Sequence, residues 1–385
     1  MHLHISKRIL ITTMISIFGI ILFSLPINYS PIIGCIPASS QVQDLEVGED
    51  FTYLAFKGLL IVDTSDPSHS QIIGNISNIN PQWISLQDKF IFLEGGDHDL
   101  TIIDVSNPYN ASIIEVLEDG GIAVSQGNFL YSIRSADLIG SRRFCVYNFS
   151  NPEHLTLISE RNWANRGVRD FKIEGDYGYI IGGEDLMTVV NLSDILDVKI
   201  VSTYYETNSS SYSGQNLQIH NNIAYITNYR SIPNELRRHE LYAINVSDPT
   251  SLELMWKIDS EDIVNIWVES NFLYCTSPTM GLIIYDISNP YNPMLFDRYT
   301  YHSYSVFNGV EVHKNKIYIA GAPHLLILDN TILGQFSRIS FQNIILPNLS
   351  LFIFVSCGIL SIIFLIYDLY SSKRMKRTQF IIDFY

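Results

Sequence analysis

The chain has 385 residues, of which 47% are hydrophobic and 16% are charged, and its formal net charge is −15 at pH 7. Six of its 24 basic and two of its 39 acidic residues lie in 1–40 and 343–385, so 41–342 holds 18 basic and 37 acidic side chains. A body this acidic repels phosphates over most of its surface, which excludes general nucleic-acid binding.

The four cysteines do not form the disulfide framework of a small secreted domain, which needs more cysteines in a much shorter chain. Cys35 and Cys357 lie in or beside apolar end segments. A disulfide in the body of the chain would therefore have to join Cys145 and Cys275.

Residues 1–40 predict a signal peptide or a signal anchor. Ile9–Ile27 is almost continuously apolar and follows Lys7 and Arg8, as in a secretory signal. The small residues at 38–40 offer a site for signal peptidase, and Ile-Ile-Gly-Cys at 32–35 resembles a lipoprotein processing box. Cleavage, lipidation and retention of the segment all stay open.

One short pattern recurs from residue 59 onward: an apolar run, Asp or Asn, a spacer, Ser, and Asp/Asn-Pro. The first copy is Leu-Leu-Ile-Val-Asp63-Thr-Ser-Asp-Pro and the second is Leu-Thr-Ile-Ile-Asp104-Val-Ser-Asn-Pro. The fourth copy lacks the proline, and the seventh stops after Asp-Asn. Successive copies lie 41, 44, 43, 54, 41 and 43 residues apart. The Asp/Asn positions are Asp63, Asp104, Asn148, Asn191, Asn245, Asp286 and Asp329.

Each copy belongs to a unit of four short strands. A tight turn and an aromatic alternating run precede it, as in Gly127-Asn-Phe-Leu-Tyr131, and a further alternating run follows its Ser-Asp/Asn-Pro turn. Seven four-stranded antiparallel units of about 40 residues are typical of a β-propeller. The sequence therefore predicts an all-β, seven-bladed propeller over 41–342. The interval of 54 residues leaves six or eight blades open.

The repeat resembles the LVIVD-repeat proteins, through Leu-Leu-Ile-Val-Asp63, Leu-Thr-Ile-Ile-Asp104 and Leu-Ile-Ile-Tyr-Asp286 with their turn continuations. The resemblance covers residues 42 to about 340. It implies a seven-bladed propeller in secreted or surface proteins of bacteria and archaea, and it implies no agreed catalytic residues.

The Asp and Asn of the repeat have a structural explanation, because their side chains accept hydrogen bonds from backbone amides two residues on. We interpret them as turn residues rather than metal ligands. The same turns account for three of the Asn-x-Ser/Thr sequons. The better glycosylation candidates are Asn75, Asn110 and Asn208.

The two faces of the predicted ring differ. If the strands of a unit are A to D in chain order, the short A–B and C–D turns form one face, the turn face. The B–C and D–A connections form the other, the loop face, and it carries the insertions 134–143, 206–215 and 230–240. Variable loops on a rigid scaffold are where binding function concentrates.

The loop face also collects basic residues with an aromatic on an otherwise acidic domain. Such a patch is suited to carboxylates, phosphates or acidic glycans, although the arginines could instead pair with nearby carboxylates. The candidate binding residues are Arg134, Arg142, Arg143, Trp163, Arg166, Arg237 and Arg238.

Leu346–Tyr367, within 343–369, predicts a transmembrane helix. Its uncharged core is about long enough to cross ~30 Å of hydrocarbon. Four basic residues follow it in the tail 370–385, which the positive-inside rule places in the cytoplasm. Lys7 and Arg8 place the start of the chain inside as well, so we expect the propeller outside the plasma membrane. If strand D of the last unit is 335–341, the chain leaves from the loop face, which would turn that face toward the bilayer.

The sequence favours a binding or adhesion module over an enzyme. It contains no Gly-x-Ser-x-Gly, phosphate loop or His-Glu-x-x-His, and no cofactor is predicted. A membrane, with an extracellular protein or glycan, is the expected partner. A subunit of a membrane complex docked through the loop face, and a hydrolase with a metal in the channel, are the alternatives.

Overall fold

Apolar alternation and tight turns divide the chain into short strands. The computed structural model describes residues 32–37, 41–95, 99–135, 142–163, 168–182, 185–205, 214–230, 238–260, 262–299, 306–322 and 324–332. These residues form 28 β-strands and three single-turn 3₁₀ helices. Two of the described A–B turns, Asn221-Asn222 and Lys314-Asn315, take positive φ at both central residues, which matches the twist of a tight hairpin.

The strands form seven separate four-stranded antiparallel sheets. The first strand of the chain is β1 (Ile32–Pro37). Blade 1 contains β2 (Asp44–Val47), β3 (Phe51–Ala55), β4 (Gly58–Asp63) and β5 (Gln71–Ser77). Blade 2 contains β6 (Pro81–Gln87), β7 (Phe90–Gly95), β8 (Leu100–Asp104) and β9 (Ser112–Leu117). Blade 3 contains β10 (Ile122–Gln126), β11 (Phe129–Ser135), β12 (Arg142–Asn148) and β13 (Thr156–Trp163).

Blades 4 to 6 repeat the same order. Blade 4 contains β14 (Asp170–Glu174), β15 (Tyr177–Ile181), β16 (Met187–Asn191) and β17 (Lys199–Tyr204). Blade 5 contains β18 (Gly214–His220), β19 (Ile223–Arg230), β20 (Arg238–Asn245) and β21 (Glu253–Ser260). Blade 6 contains β22 (Asn265–Glu269), β23 (Phe272–Ser277), β24 (Gly281–Asp286) and β25 (Met294–Tyr299). The A strands contact each other around the ring and are therefore innermost.

Blade 7 departs from this order. It contains β26 (Val306–His313), β27 (Lys316–Ala322) and β28 (His324–Asp329), and its fourth strand is β1. The fourth strand predicted at 335–341 lies outside the described residues. The N-terminal strand β1, which precedes the predicted propeller start at residue 41, closes the ring by pairing with β28.

The pairing of β1 also fixes where the chain enters and leaves the propeller. Ile32 pairs with Leu328 and Pro37 pairs with His324, so β1 runs from the turn face to the loop face. The last described residues, Asn330–Ile332, follow β28 on the turn face. Both ends of the described propeller thus lie on the turn face. The segment 335–341, from which an exit on the loop face was expected, lies outside the described residues.

Buried apolar clusters fill every junction between neighbouring blades. Their members come mainly from strands A, B and C, as with Ile91, Phe92 and Leu93, which are fully buried in β7. A single blade would expose both of its apolar faces to solvent. The hydrophobic core therefore forms only when neighbouring blades pack against each other in the closed ring. Cys145 and Cys275 are buried free thiols in blades 3 and 6, and they form no disulfide.

The segments predicted to span the membrane, 9–27 and 346–367, lie outside the described residues. In the part of the chain that the structure describes, no helix has the length and apolarity to cross a membrane.

Candidate functional site

A cavity of about 500 Å³ opens on the loop face at the mouth of the central channel. All seven blades contribute to it, mostly through residues at or just before the start of strand A. We call it the mouth cavity. Its lining is mainly polar, with an apolar part formed by Pro81, Trp83, Ile122, Val168 and Val264.

Amide side chains dominate the polar lining. Asn216 accepts a hydrogen bond from the backbone of Ile266 at 3.3 Å, and Asn308 donates one to the carbonyl of Val42 at 2.7 Å. These two amides hold neighbouring blades together. Four other cavity amides make no side-chain hydrogen bond to a described residue: Gln43, Asn80, Gln82 and Asn265.

Two arginines reach the mouth cavity, Arg142 at the start of β12 and Arg169 just before β14. Neither forms an ion pair with a described residue. Arg143, the next residue along β12, instead binds Glu160 across the strand pair, with Nη1 2.8 Å from Oε1. The alternation of a β-strand sends these neighbours to opposite sides. Of the arginines predicted from sequence, Arg142 therefore lines the cavity and Arg143 is a paired surface residue.

The other predicted binding residues lie at strand ends or outside the described residues. Arg134, Trp163 and Arg238 lie at strand ends of blades 3 and 5 that border the loop face. Arg166 and Arg237 lie outside the described residues. Arg169 and Trp83 were missed by sequence reasoning, since no sequence signal marks a residue at the start of an A strand as facing the channel.

Below the mouth, charged side chains of the inner strands of blades 1, 4 and 7 meet in the channel. Asp170 is buried and accepts hydrogen bonds from the backbones of Phe171 and Leu217 at 2.8 and 2.9 Å. Its Oδ1 lies 3.9 Å from Lys172 Nζ. Glu311 accepts a 2.8 Å bond from the backbone of Val47 in the neighbouring blade.

Burial changes the ionisation of these carboxyl groups. It raises the pKa of Asp44 to about 7 and that of Glu46 to about 8, and it raises the pKa of Glu311 well above its usual range. Burial alone would lower the pKa of Lys172, but Asp170 and the other carboxylates outweigh it and raise that pKa. Much of the channel's formal negative charge is therefore neutralised by protons at pH 7, and Lys172 offsets part of the rest.

This arrangement suits binding by hydrogen bonds and ion pairs. Among the residues that the structure covers, no three His, Cys, Asp or Glu side chains are grouped to hold a metal ion. The free polar groups are amides, which both donate and accept, and guanidinium groups, which donate in a fork that fits a carboxylate.

The turn residues and sequons take the following positions. All seven repeat Asp/Asn side chains accept a hydrogen bond from the backbone amide two residues on, at 2.7–3.1 Å, which is the bond expected from the sequence. They are thereby occupied in the turns. Asn75 in β5 and Asn110 after β8 are exposed, and Asn208 lies outside the described residues.

Comparison with known proteins agrees with the repeat. The family model of the LVIVD repeat matches residues 40–77, 81–117 and 262–301, which are blades 1, 2 and 6. No curated protein matches the chain.

Several solved structures share the fold at low identity. A chain of the mitotic checkpoint complex is 10% identical over 79% of this chain and 94% of that one, with a TM-score of 0.59. Sqt1 of Saccharomyces cerevisiae is 7% identical over 78% and 99%, with a TM-score of 0.53. A protein from Lactobacillus plantarum is 12% identical over 68% and 86%, with a TM-score of 0.53. At these identities the likeness concerns the fold alone. The chain thus contains LVIVD repeats and folds as a seven-bladed β-propeller.

Proposed function

We propose that the protein is a membrane-anchored binding module whose ligand site is the mouth cavity. One observation carries this proposal: seven blades converge on a cavity whose Gln43, Asn80, Gln82 and Asn265 side chains have no hydrogen-bond partner among the described residues. Its volume lies in the range of small-ligand sites, about 300–1,000 Å³. Polar groups that a fold does not use for itself are available to a ligand.

The anchoring part of the proposal rests on the sequence. The apolar runs 9–27 and 346–367, with their basic flanks, are typical of spans whose ends lie in the cytoplasm, which places the propeller outside. The described propeller begins and ends on the turn face. The mouth cavity opens on the opposite face, the loop face.

Strand β1 favours retention of the N-terminal segment over the two processing sites. Cleavage at 38–40 would release all of β1 from the chain, and cleavage before Cys35 would remove half of it. The first cut would separate the whole partner strand of β28 from the chain, and the second would remove half of that strand. N-terminal sequencing of the chain purified from membranes checks this: the mature protein should retain Ile32–Pro37.

Binding is tested with the full chain in phosphatidylcholine nanodiscs on an array of saccharides and peptides. The double variant Gln82→Ala/Asn265→Ala should lose the ligands that the natural chain retains. A matched double variant on the turn face, Ser68→Ala/Asn110→Ala, should keep them. Equal retention by both variants, or no ligand for any of the three proteins, contradicts the proposed function.

A further inference from the structure

The charges that line the mouth cavity are not equally available to a ligand. The three carboxylates are engaged within the protein. Asp170 has both oxygens on backbone amides, and Asp44 accepts a 3.0 Å bond from the backbone of Leu45. Glu94 also has an interaction of its own.

The guanidinium groups of Arg142 and Arg169 differ from these carboxylates, because neither forms an ion pair with a described residue. Arg142 is half-buried, whereas Arg169 is exposed. A partly desolvated arginine gains more from an anionic partner than a fully solvated one does. The cavity therefore contains two arginines without an ion-pair partner among the described residues, beside carboxylates that already interact within the protein.

The number of negative charges on the ligand is limited by the same carboxylates. A phosphate dianion would be repelled by the carboxylates of Glu94 and Asp170 in the cavity wall, since both line the same small volume. A single carboxylate meets less repulsion and matches the planar fork of an arginine.

The free amides require hydroxyl groups. Gln43, Asn80, Gln82 and Asn265 come from blades 1, 2 and 6 and offer donors and acceptors on different sides of the cavity. A hydroxyl group both donates and accepts hydrogen bonds. A cyclic ligand that bears several hydroxyls can therefore form hydrogen bonds with amides on several sides of the cavity. The apolar patch around Trp83 and Ile122 gives such a ring a surface to pack on.

From these observations we infer that the mouth cavity binds a short acidic saccharide of the uronic-acid type. Its carboxylate lies against Arg142 and Arg169, and its hydroxyls bond the amides of blades 1, 2 and 6. This inference rests on the proposed function and specifies its ligand class.

The test uses isothermal titration calorimetry of the full chain in phosphatidylcholine nanodiscs. The probes are digalacturonate, the neutral galactose disaccharide, a diglutamate peptide and inorganic phosphate. We expect digalacturonate to bind at least tenfold more tightly than each other probe. Arg142→Gln and Arg169→Gln should each weaken its binding tenfold or more, whereas Arg143→Gln should change it less than twofold. Thermal melting of each variant excludes loss of folding as the cause.

Each other outcome has a definite meaning. Equal binding of the neutral disaccharide, or no effect of Arg142→Gln and Arg169→Gln, overturns the acidic specificity while leaving a saccharide-binding cavity. Equal binding of the peptide or of phosphate overturns the saccharide class. Failure of all four probes overturns the inference, but the proposed function then falls only if the array also finds no ligand that depends on Gln82 and Asn265.

Discussion

The turn face and the loop face of the propeller are built from the same seven repeats, yet they differ in how uniform they are. On the turn face, the residue that ends strand C is Asp or Asn in all seven blades and makes the same bond each time. At the mouth, one position of strand A pairs in every blade with the residue eleven places further along the chain. The seven residues at this position are Asp44, Trp83, Ile122, Asp170, Asn216, Asn265 and Gly309.

The comparison distinguishes residues that stabilise the fold in the same way in every blade from residues that do not. The hydrogen bond that recurs in each blade stabilises the fold, because each blade has the same C–D turn. A position that holds four chemically different side chains and a glycine does not serve a structural role common to all blades. Different residues at equivalent positions make the mouth of a nearly sevenfold-symmetric propeller asymmetric. An asymmetric site is suited to binding a single asymmetric ligand. Variants on the two faces and in the channel between them test this difference through their effect on stability.

The largest effect on the free energy of unfolding is expected where β1 packs in blade 7. Ile36 is buried in the cluster between blades 7 and 1, whereas its neighbour Cys35 is exposed. Ile36→Asp would bury an unpaired charge and should lower the free energy of unfolding by about 3 kcal/mol or more. Cys35→Asp, one residue away on the open side of the same strand, should change it by less than about 1 kcal/mol.

Urea unfolding of the full chain, followed by tryptophan fluorescence, measures both variants. Similar small losses for Ile36→Asp and Cys35→Asp would show that β1 does not close the ring. Gly34 gives a second check, because a Cβ there would lie under 3.0 Å from the Pro67 carbonyl oxygen on the turn face. Gly34→Val should therefore also destabilise the chain.

Strand β1 shows where sequence reasoning reached its limit for the fold. Blades 1 to 6 were predictable because their fourth strand follows a turn marked by Ser and Asp or Asn, as after Asp104. Residues 32–37 follow no such turn and carry no repeat motif. They form a blade strand because they pair with Leu325 and Leu328, nearly 300 residues away. Local sequence propensity does not indicate a contact between residues so far apart in the chain.

The next effect is the pH dependence produced by the channel acids. The folded pKa values of Asp44 and Glu46, about 7 and 8, exceed the unfolded values of ~3.9 and ~4.3. Between about pH 4 and pH 8 the folded chain therefore holds more protons than the unfolded chain. The contribution of these two groups to the free energy of unfolding is fully present below their unfolded pKa values and should be lost as pH rises through their folded pKa values.

Glu46→Gln removes one of these groups and should flatten the decline of the melting temperature between pH 5 and pH 8. Glu49 on the turn face is the matched control. Its hydrogen bond with Lys314 lowers its pKa, so it titrates below this window and Glu49→Gln should leave the slope unchanged. Stability that is flat or rising with pH in the natural chain would contradict the protonated state of the channel.

A smaller effect is expected at the repeated turns. Asp104→Ala removes the acceptor of the 2.7 Å bond from the backbone of Ser106 and should cost about 1 kcal/mol. Asp104→Asn keeps an acceptor oxygen in the same place and should cost less than about 0.5 kcal/mol, since three of the seven copies already have Asn there. Chemical denaturation compares the two, and equal losses would show that the bond contributes nothing.

The site was less predictable than the turns for a related reason. Sequence reasoning selected the loop face and one residue that lines the mouth cavity, Arg142, because insertions and basic residues are visible in the sequence. It also selected Arg143, which pairs with Glu160. Telling the two apart requires the register of β12, and finding Arg169 requires knowing that the start of β14 faces the channel. A position that holds five different residue types in seven blades offers no sequence pattern to search for.

The smallest effect on stability is expected at the free amides of the mouth cavity. Asn265 makes no side-chain hydrogen bond to a described residue, so Asn265→Ala should change the free energy of unfolding by less than about 0.5 kcal/mol. Asn216, at the same position of the preceding blade, accepts the amide of Ile266, so Asn216→Ala should cost about 1 kcal/mol. Denaturation curves for this pair separate an amide that supports the ring from one left for a ligand. A loss at Asn265 equal to that at Asn216 would mean that the variety of the mouth serves packing between unlike blades, and the contrast between the two faces would then no longer point to binding.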